Sequence, residues 1–185
     1  MLGLLGVILL MLPGRWGVKL LALLLTLPLL LPVDTTPRSP SLDTVVTALD
    51  VGQGTAVVVQ SGDQTLLYDT GGGDPKGLNM GEAVVLPFLR YQGIASLDTL
   101  IISHSDLDHS AGTVQVIDAM RVDRFRYGED VPGTTGGRAC TAGESWRWPG
   151  GQVFRFLSPA IEAPPRNNDA SCVLMIDIGN YRLLL

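Results

Sequence analysis

His104, Asp106, Asp108 and His109 fall within six consecutive positions, and no other stretch of the chain holds so many groups capable of chemistry. Imidazole nitrogens and carboxylate oxygens are deprotonated near neutral pH and both coordinate divalent cations. A turn carrying His-x-Asp-x-Asp-His can therefore converge them on one point as metal ligands. Of the four, Asp108 is the candidate for a catalytic role as well as a ligand role. The blander account is a solvated loop, because Asp and Ser are common turn formers at strand ends. Against it, these are the only two histidines in 185 residues, and they bracket two acids. No Ser-His-Asp arrangement competes, since neither histidine has an evident serine partner.

Regular elements have to bring that turn to a fixed place. Residues 98–102, Asp-Thr-Leu-Ile-Ile, form an apolar, β-branched run that predicts a buried strand, so the ligands begin where a strand ends. A helix is predicted from Ser110, as N-cap, to Met120, burying Val114, Ile117 and Met120 on one face. Upstream, residues 44–51, 55–60 and 64–69 are short β-branched runs separated by Gly-Gln-Gly and Ser-Gly-Asp, which predicts an antiparallel meander. Gly71, Gly72 and Gly73 follow Asp69-Thr70. They let the backbone approach something closely or take positive φ, or else form a flexible loop. Between Gly81 and Tyr91, Val84, Val85, Phe88 and Leu89 recur at helical spacing, with Pro87 kinking or dividing the helix and Gly93 ending it. Strands alternating with helices indicate an α/β layered fold.

Further along, residues 121–127 alternate like a strand and carry three arginines. An exposed strand face is the preferred reading, and contact with a phosphate backbone is the alternative. Residues 131–143 read as a loop. Trp146 and Trp148 read as core or edge-strand packing in preference to stacking on unpaired bases. Residues 153–157 and 172–178 supply two more strands joined by 158–170, and 181–185 a last one. Cys140 and Cys172 are either a disulfide, as in an exported domain, or two unrelated buried thiols.

The N-terminus differs in character. Residues 1–33 hold only Arg15 and Lys19 as charges and are rich in leucine, and residues 16–33 approach the ~20 residues needed to cross a bilayer. Pro13-Gly14-Arg15 reads as a turn. A secretory signal would place its positive charge ahead of the apolar run, which this segment does not. The organisation expected is one or more transmembrane segments over 1–33, a linker over 34–43 and a globular domain over 44–185. Arg15 and Lys19 favour a cytoplasmic turn, which would deliver the domain outside. A hydrophobic content of 46% suffices for a core. A formal charge of −5 excludes the global basic field of a strong nucleic-acid binder, although bound cations would offset it locally.

His104-x-Asp106-x-Asp108-His109 resembles the metallo-β-lactamase superfamily signature His-x-His-x-Asp-His, with aspartate in place of the second histidine. Preceded by Leu49-Asp50-Val51-Gly52-Gln53-Gly54 and Tyr68-Asp69-Thr70-Gly71-Gly72-Gly73, it resembles more narrowly the C-terminal domain of ComEC-type DNA-internalisation proteins of natural competence. The likeness runs from about Thr44 to the last residue. It implies the N-terminal part of an αβ/βα sandwich, in a piece of a longer membrane protein cut at both ends. It implies that Asp69 lies beneath the metal loop and orients the ligands. Asn167 and Asn168 fall where the superfamily has a further histidine, so they would touch metal or substrate, or else serve only as turn residues. The implied cofactor is a divalent metal, Mn²⁺ or Zn²⁺ with Mg²⁺ acceptable, and the implied reaction is phosphodiester hydrolysis by water. His104 and Asp106 would serve one ion, and Asp108 and His109 a second. Four clear ligands are few for two metals, which makes one weakly held ion the expectation for this piece.

The implied partners are DNA, entering as a single strand, the membrane and other competence proteins. The implied location is the inner (cytoplasmic) membrane, with the domain on the external or periplasmic side. Two other readings stay open: a component that guides DNA without chemistry or a fragment inactive by itself, and a metallohydrolase for a small lactone or thioester, because a fold alone does not fix a reaction.

Overall fold

The computed structural model describes residues 7, 9–11, 13, 16–30, 43–160 and 167–185. The chain divides into two compact units, Met1–Thr36 and Pro37–Leu185. In the first, helix α1 (Trp16–Leu30) is leucine-rich. Ala22 and Thr26 are buried on it, and Lys19 Nζ donates to the Leu10 carbonyl at 2.7 Å. Among the described residues no helix is long and apolar enough to cross a membrane. The expected turn at Gly14-Arg15 and most of the expected linker, 34–42, lie outside the described residues.

The second unit is built on a six-stranded sheet in the order β1-β2-β3-β5-β7-β8. Its first three strands, β1 (Val45–Ala48), β2 (Val57–Ser61) and β3 (Gln64–Tyr68), form the antiparallel meander that the sequence predicts. The chain then crosses over twice. A π-turn (Gly81–Val85) and helix α2 (Leu86–Tyr91) precede β5 (Thr99–Ile102), which pairs parallel to β3. Helices α3 (Leu107–Ser110) and α4 (Thr113–Ala119) precede β7 (Phe125–Tyr127), parallel to β5, with β8 (Arg138–Ala139) at the edge. A short parallel pair, β4 (Ser96–Leu97) and β6 (Arg121–Val122), runs beside the crossovers. The second sheet, β12-β11-β10-β9, is antiparallel throughout, with β9 (Ser145–Arg147), β10 (Val153–Ser158), β11 (Val173–Ile178) and β12 (Tyr181–Leu184).

Residues of the first sheet alternate between two cores, because successive strand side chains point to opposite faces. Val58, Leu67, Leu100 and Ile102 join Leu86, Leu89 and Val116 under the helices. Val57, Val59, Leu66, Tyr68 and Ile101 face Phe154, Phe156, Leu174 and Ile176 of the second sheet. Both faces are covered, which is why these strands read as continuous apolar runs. The layers are helix, sheet and sheet. Among the described residues of this unit no helix covers the outer face of the second sheet, so the outer helical layer of an αβ/βα sandwich is not represented there. Trp148 is buried against Phe154, and Trp146 stacks on the same ring at 4.9 Å, so both tryptophans belong to packing.

One helix differs from expectation. The helix predicted from Ser110 to Met120 is two pieces: α3 starts at Leu107, and Gly112 separates it from α4. The buried residues of α4 are Thr113 and Val116; Ile117 and Met120 are only partly buried against the core, and Val114 is half-buried outside it. The break has a steric cause. A Cβ on Gly112 would lie 2.5 Å from the Gly81 Cα, so the crossovers touch backbone to backbone there. Pro87 sits where the π-helical turn (Gly81–Val85) passes into α2, so it divides one helical run as its position predicts.

Cys140 and Cys172 form a disulfide, with Cα atoms 5.7 Å apart. It joins the end of β8 to the start of β11, and Tyr68 Oη donates to the Cys172 carbonyl at 2.6 Å beside it. Closing a loop of 32 residues restricts the unfolded chain. The Cys140→Ser/Cys172→Ser double variant should therefore lose about 3 kcal/mol of stability, read as a lower midpoint in urea. An unchanged midpoint would show that the bond constrains nothing.

Candidate metal centre

Three parallel neighbours, β3, β5 and β7, end side by side, and the candidate residues follow two of those ends. Asp69 succeeds β3, and Ser103 and His104 succeed β5. This is where open α/β sheets bind ligands, outside the carboxyl ends of the strands. His104, Asp108 and His109 each bring a ligand atom to within 4.8 Å of the others. The two imidazole centroids are 4.1 Å apart. Asp108 Oδ2 lies 3.6 Å from His109 Nε2, and Asp106 Oδ2 lies 3.5 Å from His104 Nε2. Asp106 is exposed and stands outside the group of three.

Asp69 is fully buried beneath this group and takes φ +60, uncommon outside glycine. Its carboxylate accepts three bonds: Ser103 N–H at 2.7 Å, Ser103 Oγ at 2.8 Å and His109 Nδ1 at 2.7 Å. Ser103 Oγ has one proton and gives it to Asp69, so it accepts from His104 Nδ1 at 2.9 Å. Both histidines thereby carry their proton on Nδ1 and keep a lone pair on Nε2, the side on which the carboxylates of Asp106 and Asp108 stand. Burial pushes the Asp69 carboxyl upward, opposed by the donors from His109 and Ser103. The bond to Asp69 pushes His109 upward, opposed by partial burial, and so makes it a more basic ligand. Two unprotonated imidazole nitrogens facing carboxylate oxygens fit a divalent cation by donor chemistry.

The glycine motifs hold the loop from behind. Thr55 N–H donates to the Asp108 carbonyl at 3.3 Å, and Thr70 N–H and Oγ1 donate to the His109 carbonyl at 2.8 and 3.1 Å. Gly54 packs so closely that a Cβ there would lie 2.0 Å from the Asp108 carbonyl oxygen. On the other flank Ser105 Oγ donates to Glu129 Oε2, and Ser110 Oγ donates to the Ser105 carbonyl, each at 2.8 Å. Ser110 is therefore a brace of the loop and not the N-cap of a helix.

Ser103 is the functional residue that sequence reasoning passed over. Its one available signal was a hydroxyl directly before a histidine at a strand end. Asn168 is exposed, and its carbonyl accepts from Ser171 N–H at 3.1 Å, a turn role. The side chain of Asn167 lies outside the described residues; its backbone opens a 3₁₀ turn, Asn167–Ala170.

The sequence pattern of the metallo-beta-lactamase superfamily matches residues 49–184. "Recombination protein 2" of Haemophilus influenzae is 37% identical over 146 residues, 76% of this chain and 18% of that protein. "Competence protein ComA" of Neisseria gonorrhoeae is 32% identical over 183 residues, 96% of this chain and 24% of that protein. The chain thus spans about a fifth of the length of such curated relatives, between 18% and 24% for these two. Among solved structures, Rm3 metallo-beta-lactamase superposes with a TM-score of 0.55 at 15% identity, over 80% of this chain and 60% of that one, a likeness of fold. The fold and the His/Asp cluster together point to divalent metal.

Proposed function

Because the chain belongs to the metallo-beta-lactamase superfamily, as a ComEC-type domain of competence proteins, we propose that it serves DNA uptake by hydrolysing phosphodiester bonds with divalent metal. The observation that carries the reading is the Asp69–Ser103 pair, which fixes both imidazoles as Nδ1–H tautomers with Nε2 free beside two carboxylates. His104, Asp108 and His109 would hold an ion, with Asp106 as the further ligand on the His104 side. Nitrogen and oxygen donors in this mixture suit Mn²⁺ or Zn²⁺, with Mg²⁺ acceptable. Such an ion supplies Lewis acidity and offsets charge on the phosphate. Asp108, half-exposed next to His109 Nε2, is the group positioned to accept a proton from the attacking water. The apolar residues 1–33 support a membrane anchor, with the domain on the external or periplasmic side of the inner membrane and other competence proteins as its neighbours.

A 5′-labelled single-stranded oligonucleotide incubated with the protein should be cleaved in Mn²⁺ or Zn²⁺ and left intact in EDTA. Absence of cleavage with either ion, in a protein that calorimetry shows to bind the ion, would sink hydrolysis. A DNA-guiding role without chemistry would then stand. That second reading is supported by the small number of groups that converge among the described residues, three within 4.8 Å.

A further inference from the structure

On the reading of the cluster as a divalent-metal centre, we propose that Tyr68 and the Cys140–Cys172 disulfide are positioning groups for it: through Cys172 they hold Ser103, and with it the Nδ1–H tautomer of His104.

Ser103 is the first residue past β5. The bond from Gly128 N–H to the Ile102 carbonyl, at 3.0 Å, closes the ladder between β5 and β7, and the next carbonyl along, that of Ser103, is taken by Cys172 N–H at 2.9 Å. Cys172 is gripped in turn from two other sides. Its carbonyl accepts from Tyr68 Oη at 2.6 Å, and its sulfur is bonded to Cys140, whose N–H donates to the Tyr127 carbonyl at 2.8 Å. Burial, and then the charge of Asp69 beside it, push the Tyr68 hydroxyl upward, so it keeps the proton it donates. Tyr68 is joined by its own peptide bond to Asp69, which receives Ser103 N–H and Oγ. A closed circuit results, from Asp69 to Ser103 to Cys172 to Tyr68 and back, with all four residues buried.

Backbone packing tightens the circuit. A Cβ on Gly128 would lie 2.1 Å from the Ser103 carbonyl oxygen and 2.2 Å from the Ala170 carbonyl oxygen, so the chain entering β11 is pressed onto Ser103 and the end of β7 with no room for a side chain between them.

Ser103 needs such placement because its hydroxyl stands among three partners at similar range. Oγ is 2.8 Å from Asp69 Oδ2, 2.9 Å from His104 Nδ1 and 3.3 Å from His109 Nδ1. With one proton to give, it fixes the His104 tautomer only while that proton goes to Asp69. A small displacement of the Ser103 backbone would let the hydroxyl turn to His104 Nδ1 instead. The His104 proton then moves to Nε2, and the lone pair a cation needs is lost. His109 is spared, because it bonds to Asp69 directly at 2.7 Å. The two histidines should therefore respond differently to a loss at Cys172, which a general loosening of the fold would not produce.

The test uses the full chain. Heteronuclear NMR of the histidine ring nitrogens, at a pH well above the ordinary histidine range, reads the tautomers with no metal added. Titration calorimetry with Mn²⁺ and Zn²⁺ reads affinity. In Cys140→Ala/Cys172→Ala, and separately in Tyr68→Phe, His104 should show both tautomers and His109 should stay protonated on Nδ1. Both ions should bind about tenfold more weakly, the lower end of what outlying partners of metal-bound histidines contribute. Because both changes act at Cys172, combining them should weaken binding little beyond the cysteine variant by itself. Leu89→Ala, in the core under the helices, should lose stability yet leave both tautomers and the affinity as they were. An unchanged His104 in both variants, equal changes in the two histidines, or the same changes in Leu89→Ala would each overturn the proposal. Should the cysteine variant fail to fold, Tyr68→Phe decides. If the unaltered protein bound neither ion while His104 still lost its single tautomer in the variants, the metal reading would fall and the positioning of His104 would stand. Tight ion binding that neither variant alters would do the reverse.

Discussion

Asparagine in place of Asp69 should weaken divalent-metal binding by roughly ten- to hundred-fold and slow any metal-dependent cleavage at least as much. The side chain keeps its size and loses its logic. Asp69 receives three donors, from Ser103 N–H, Ser103 Oγ and His109 Nδ1. An amide offers one acceptor and presents its own N–H groups to the remaining donors. With the amide oxygen kept on Ser103 N–H, the amide N–H₂ faces His109, which must accept on Nδ1; its proton moves to Nε2 and the lone pair a cation needs is lost. Replacing the base-orienting aspartate of a serine-protease triad by asparagine fails in the same way, through the wrong tautomer. A buried donor left without an acceptor should also cost about 1–3 kcal/mol of stability. Titration calorimetry with Mn²⁺ and Zn²⁺ measures the first effect and urea unfolding the second. Native affinity in the variant would show that Asp69 does not set the histidine tautomer.

Gly54→Ala should cost about 4 kcal/mol, or about 10 °C in melting temperature, from two sources that add. The residue takes φ +125, a region L side chains avoid, and its new methyl group would sit 2.0 Å from the Asp108 carbonyl oxygen and 3.2 Å from Gly72 N. Those neighbours are backbone and cannot rotate aside, so the loop that carries Asp108 and His109 must move. Gly52 is the internal control. It also takes positive φ, at +66, but has nothing within 4 Å of where its Cβ would lie. Gly52→Ala should therefore lose only about 1 kcal/mol of stability, the conformational part. Thermal melts followed by circular dichroism compare them, and equal losses at the two glycines would remove the argument from close contact.

The ligand turn and the strands of the first sheet were legible because their signals are local. Residues 99–102 and 57–59 are apolar on both faces, and a run of that kind between turn residues can only be a covered strand. The glycines of the two upstream motifs were recognisable as special, yet the sequence left open what they approach. The answer, the Asp108 backbone, is fifty residues away from Gly54 in rough terms and close only in space. The same holds for Gly112, whose contact with Gly81 splits the helix expected over 110–120. Ser103 escaped notice because a serine beside a histidine has many uses, and only the buried Asp69 beneath it selects one. The cysteine pairing and the parallel order β3-β5-β7 of the first sheet are likewise contacts between distant residues, with no periodicity to announce them. Arg126 was visible as an arginine on a strand, but the carboxylate it shares with Arg138, Glu144, was not.

The three converging ligands and the two residues that fix the histidine tautomers, Asp69 and Ser103, all lie between Asp69 and His109, at the ends of β3 and β5 and in the turn that follows. The second sheet contributes none of them; it packs its side chains against Tyr68 and Ile101, and Cys172 N–H just before β11 donates to the Ser103 carbonyl at 2.9 Å. Substitutions on the outward face of the second sheet, such as at Arg155, can therefore leave the histidines where they are.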